Sequence, residues 1–211
     1  MGRRLSRALL RSYHIYTWTI GDSRSPLDVA AQFEDADTLD AMLAYASPLQ
    51  RLWFFSRQGD AEHARAIARE HPGIVESMPP EAHRAIADAA WNGDARAVTL
   101  MLELGFDPRA TGHDSGTTLH LAAWEGSVEA VTALLRHPEA HALVSARDAH
   151  YHATPLGWCC HASLHGNTTR DHAGVARLLL EAGADVEDVE DAGASPAVQA
   201  VLAAWRRSGE R

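Results

Sequence analysis

Apolar residues recur at intervals of three and four along much of the chain, in short bursts. Val98, Met101 and Leu102 form one stripe, and Val128, Val131, Leu134 and Leu135 form another. Val175 to Leu180 gives a third, Leu39, Met42 and Leu43 an earlier one, and Val198, Val201, Leu202 and Trp205 a last one. That spacing gives a helix one face to bury and one to leave in water. Each burst is bounded by Gly, Pro, Asp or Ser, residues that cap or stop helices. The pattern predicts many short amphipathic helices. Tyr13 to Ile20 instead alternates every second residue, which predicts a short strand or extended connector broken by Gly21-Asp22-Ser23.

The bursts keep a fixed step. Ala89-Ala90-Trp91-Asn92-Gly93 matches Ala122-Ala123-Trp124-Glu125-Gly126, and the two glycines lie 33 residues apart. Gln58-Gly59-Asp60 places a further anchor 34 residues before Gly93. Around the best copy each residue has a local reason. Thr117 is placed to cap the helix that follows. Ala122 and Ala123 are small enough for a second helix to pack across them. Gly126 supplies a left-handed end to the first helix.

The stretch Thr117-Thr118-Leu119-His120-Leu121-Ala122-Ala123-Trp124-Glu125-Gly126 resembles the Thr-Pro-Leu-His-x-Ala-Ala-x-x-Gly signature of the ankyrin repeat. His120 stands where that signature's His ties a turn to its neighbour. The resemblance implies an all-α solenoid of right-handed stacked helix pairs, about five repeats in all, with a C-terminal capping helix. Residues 1–24 read as a basic segment or partial repeat, and 25–80 as two degenerate repeats. The first of these opens at Ser25-Pro26-Leu27-Asp28-Val29-Ala30-Ala31; the second has Trp53, Phe54 and Phe55 in place of small residues. Residues 81–186 hold three clearer repeats, the last opening at Thr154-Pro155-Leu156. Residues 187–211 read as an acidic linker and a helix from Ser195-Pro196 that covers the last repeat. Two segments exceed a regular repeat, His137 to Arg147 and Leu164 to Ala173. Thr154-Pro155-Leu156-Gly157-Trp158 with the polar insertion after it is similar to a group of bacterial ankyrin-repeat proteins.

Composition narrows the function classes. Charged residues are 22% and hydrophobic ones 46%, which argues against disorder. A net charge of -9 argues against general nucleic-acid binding, which needs basic surface. No apolar run approaches the ~18 residues of a membrane span. All 19 basic residues are arginine, and no mechanism follows from that. Two adjacent cysteines make no disulfide framework, so a reducing cytoplasm is the expected compartment. Met1-Gly2-Arg3-Arg4-Leu5-Ser6 fits an N-myristoylation pattern; the competing assignment is a helix remnant packing through Leu5, Leu9 and Leu10. A monomer without cofactor is the default expectation.

The family resemblance implies a partner held on the concave face of the first helices and on the turn tips. Positions after the small pair are Trp91 and Asn92, Trp124 and Glu125, and His161 and Ala162. The tips add His83, His113, Asp114, His150 and Tyr151. Large aromatics dominate binding interfaces, so these residues are the expected recognition stripe for a protein partner. The competing assignment has each tryptophan packing against the neighbouring repeat. A rival reading takes Cys159, Cys160, His161, His165 and His172 as a zinc or small-ligand site. Spacing opposes it: adjacent cysteines on a helix point about 100° apart. No phosphate loop, serine elbow or carboxylate pair points to catalysis. The 13 histidines add surface charge that depends on pH.

Overall fold

The computed structural model describes residues 26–33 and 36–209. The basic segment, the lipidation pattern at Gly2 and the alternating stretch Tyr13 to Ile20 lie outside the described residues. The described residues fall into two compact units that divide between Ala82 and His83.

In the first unit α1 (Pro26–Gln32) packs on α2 (Ala36–Tyr45), and α3 (Pro48–Arg57) packs on α4 (Ala61–Glu70). The start of α3 follows from its sequence. Ser47 Oγ accepts from the Gln50 N–H, Gln50 Oε1 accepts from the Ser47 N–H, and Pro48 fills the first helical position. Leu52 and Phe54 are buried from α3, Ala64 and Ile67 from α4. The aromatic residues that stand where small ones were expected are used: Trp53 Nε1 donates to Ala82 O at 3.0 Å, and Phe55 stacks on His63. Asp28, buried on α1, accepts from Gln58 Nε2 at 3.0 Å and lies 3.4 Å from Arg57 Nε, tying α1 to the end of α3.

The second unit contains three helix pairs. These are α5 (Arg84–Trp91) with α6 (Ala95–Leu104), α7 (Thr118–Glu125) with α8 (Val128–Leu135), and α10 (Pro155–His165) with α11 (His172–Glu181). A short α9 (Pro138–His141) follows α8. First helices pack in a row, α5 on α7 on α10, and second helices pack α6 on α8 on α11. Close approach depends on small residues: Ala85, Ala87, Ala90, Ala122 and Ala123 have no exposed surface. Asp94, Ser127 and Asp171 cap the second helices with side-chain oxygens. Gly126 ends α7 at φ 71, a conformation that a Cβ disfavours. α12 (Pro196–Gly209) packs on α11 and buries Val198 and Leu202 completely.

Among the described residues no strand forms; Thr111 and Thr117 make one isolated bridge. The architecture is the all-α stack of helix pairs that the spacing predicts. The two long segments are accounted for. His137 to Arg147 contains α9 and buries Ala140 and Val144. Part of Leu164 to Ala173 is helix, since α10 has 11 residues where α7 has 8. The acidic stretch after α11 is pinned at two places: Asp188 pairs with Arg147 at 2.6 Å, and Glu187 with Arg206 at 3.2 Å.

Candidate functional site

The first helix of each pair ends the same way. Ala89-Ala90, Ala122-Ala123 and Cys159-Cys160 are buried between helices. The residue after each pair lies about 100° further round and reaches the rim of the buried face. Because α5, α7 and α10 stand side by side, Trp91, Trp124 and His161 fall into line. The Trp91 and Trp124 rings are nearly parallel, 6.1 Å apart with planes 12° from each other. His161 lies 5.7 Å beyond Trp124, and His165 4.5 Å beyond His161. His113, from the turn before α7, closes the other end 4.8 Å from Trp91. The five rings form one track. Both tryptophans are half-buried; the three histidines are exposed.

The turn tips join this track through a residue that sequence reasoning left out. Trp158 lies 5.8 Å from Trp124 and 6.5 Å from Tyr151, which is 61% exposed and touches His150. Trp158 is buried, and its indole N–H donates to Asp148 at 3.0 Å. The same carboxylate accepts from the backbone N–H groups of His150, Tyr151 and Ala153. Burial by itself would raise the Asp148 pKa, but these donors outweigh it and hold it below the usual carboxylate range. Asp114 is exposed at φ 48, in the left-handed region that Asp tolerates. Its neighbour Ser115 accepts from the Ala149 N–H at 3.0 Å, linking the two tips.

His120 lies beneath the track, 5.4 Å from Trp158 and fully buried. Its Nδ1 accepts from the Thr117 N–H at 3.2 Å, and its Nε2 faces the Ala153 carbonyl at 3.0 Å. Those partners assign the proton to Nε2. Burial pushes its pKa down despite the carbonyl and the Asp148 charge, so the ring is neutral. It fastens one repeat's helix to the next repeat's turn, the place the signature gives it.

Asn92 is exposed at the end of α5, whereas Glu125 is half-buried and engaged. Glu125 Oε1 accepts from Arg170 Nε at 3.0 Å and Asn167 Nδ2 at 3.4 Å. His172 Nε2 donates to the Trp124 carbonyl at 3.0 Å. The loop between α10 and α11 therefore folds over the end of α7 and fixes the backbone under Trp124. Its Arg170 was absent from the expected site, since its partner lies 45 residues away in sequence.

The five metal-ligand candidates do not converge. Cys159 and Cys160 are buried, and Cys159 Sγ lies on the His172 carbonyl at 3.2 Å. Burial first, then the neighbouring Cys160 and Asp171, pushes the Cys159 thiol well above its ordinary pKa, so it stays protonated. Only His161 and His165 face one another in the open. Among the described residues no group of three or more His, Cys, Asp or Glu is arranged to hold a metal ion. No helix among them is long and apolar enough to cross a membrane.

A family model described as "Ankyrin repeats (3 copies)" matches residues 86–200, more than half of the 211-residue chain. Ankyrin repeats are generally protein–protein interaction modules and typically non-catalytic. With the capped helix pairs, the small-residue seams and the His120 fastening, that match settles the family: the chain belongs to the ankyrin-repeat family.

Proposed function

We propose that the second unit is a protein-interaction module that holds a partner on the face of its first helices, without catalysis. One observation carries the reading: Trp91 and Trp124 stand ring to ring, half-exposed, on neighbouring repeats. Their carbons are already packed on one side, so a partner completes the burial at little ordering cost. Exposed His113, His161 and Asn92 surround them, and Tyr151, His150 and Asp114 extend the face along the turn tips. The non-catalytic reading is supported by the cysteines. The thiol closest to a histidine in sequence is buried, and its neighbour Cys159 is held protonated. The net charge of -9 favours a protein partner over nucleic acid, and two cysteines without a disulfide framework suit the cytoplasm. The protein works as a monomer on this reading.

Affinity capture from the native lysate tests it, with wild type compared against Trp91→Ala/Trp124→Ala. Circular dichroism first establishes that both are folded. A discrete protein captured by wild type and lost with the variant is the expected result. An unchanged captured set would make the tryptophans packing residues and refute the reading.

A further inference from the structure

We propose that His161 and His165 form a two-histidine chelate for a divalent transition-metal ion on the exposed side of α10. The residues are four apart in a helix, so their side chains leave the same face one turn apart. Both are exposed, and their ring centroids lie 4.5 Å apart with planes tilted by 39°. Two nitrogens bonded at ~2.0–2.1 Å to one tetrahedral ion sit about 3.3 Å from each other. With centroids 4.5 Å apart, that separation asks only for rotation about the broad terminal torsions. Imidazole is a ligand for zinc, copper and nickel alike.

The neighbouring candidates are committed elsewhere, which confines the site to these two rings. His172 gives its Nε2 proton to the Trp124 carbonyl, and Cys159 is buried and protonated. No third ligand residue joins them among the described residues. The remaining coordination positions therefore open outward, to water or to a donor atom from a bound molecule. The ion would lie beside Trp124, whose ring is 5.7 Å from His161. The inference rests on side-chain placement alone and holds whether or not a partner uses this face.

The test titrates the full chain with cupric ion, followed by calorimetry and tryptophan fluorescence. Wild type binds one tight equivalent, with quenching because the ion lies against Trp124. His161→Ala and His165→Ala each weaken that step on the order of 10²-fold, since each loses an intramolecular second ligand. The control His137→Ala/His141→Ala, another pair four apart, keeps it. Wild type without saturable binding, either single variant with an unchanged isotherm, or the control losing the step would each overturn the chelate. Circular dichroism confirms that every variant is folded.

Discussion

Replacing Asp148 with asparagine isolates the polar junction that supports the aromatic face. One carboxylate oxygen accepts from the His150 and Tyr151 N–H groups, the other from the Ala153 N–H and the Trp158 indole. Asparagine keeps one oxygen. Its amide nitrogen must face one of these donor pairs, N–H against N–H. Each stranded donor costs about 1–3 kcal/mol, so stranding a pair makes Asp148→Asn lose about 2–6 kcal/mol near neutral pH. That is a large share of the ~5–15 kcal/mol that holds a typical domain. Urea unfolding followed by circular dichroism and tryptophan fluorescence measures it. The pH dependence adds a second signature. The folded pKa of Asp148 is lowered, so its charged form stabilises the fold above the unfolded value of ~3.9. That contribution is lost as pH falls from there through the folded value. The gap between wild type and variant therefore holds from pH ~7 to ~5 and closes below ~4. A variant within about 0.5 kcal/mol of wild type at neutral pH would refute the reasoning. So would a gap indifferent to acid.

Three further outcomes are expected. His120→Gln costs about 2 kcal/mol through the lost Thr117 and Ala153 partners. Because the folded pKa of His120 is lowered, wild type loses stability as pH falls below the unfolded value of ~6.5; the variant has a flatter limb there in pH-dependent melting. Gly126→Ala forces a side chain into φ 71 and puts its Cβ 2.7 Å from Arg170 Cβ; it loses about 1–3 kcal/mol in urea unfolding, while Gly183→Ala meets open space and pays only for its backbone conformation. A colorimetric thiol reagent titrates neither cysteine in the folded protein and both in denaturant, because Cys159 and Cys160 are buried.

Local chemistry made much of the fold legible. Ser47 with Gln50, Gly126 and the Ala122-Ala123 pair act within a few residues of themselves, so their roles can be read without a structure. The alignment of Trp91, Trp124 and His161 also followed, since the repeat period fixes where each falls. What escaped depends on long-range pairing. Arg170 reaches Glu125 across 45 residues, and His172 reaches the Trp124 carbonyl across 48. Nothing near either residue in sequence announces its partner. Trp158 was a nearer miss. It follows Gly157, which stands where the other repeat has His120. A tryptophan beside a missing fastening residue, ten residues after an isolated Asp, was the available signal. The extra length after Ser163 first continues α10 to His165, which its polar sequence does not announce.

Photo-crosslinking tests the central claim most directly. A photo-activatable residue is placed at Asn92, exposed beside Trp91, and in a second sample at Thr99, exposed on α6. Both are irradiated in the native host and the adducts identified by mass spectrometry. The account predicts a discrete protein adduct from position 92, weakened by Trp124→Ala, and none from position 99. An adduct from position 99 with none from position 92 would place the partner on the second helices and contradict the account.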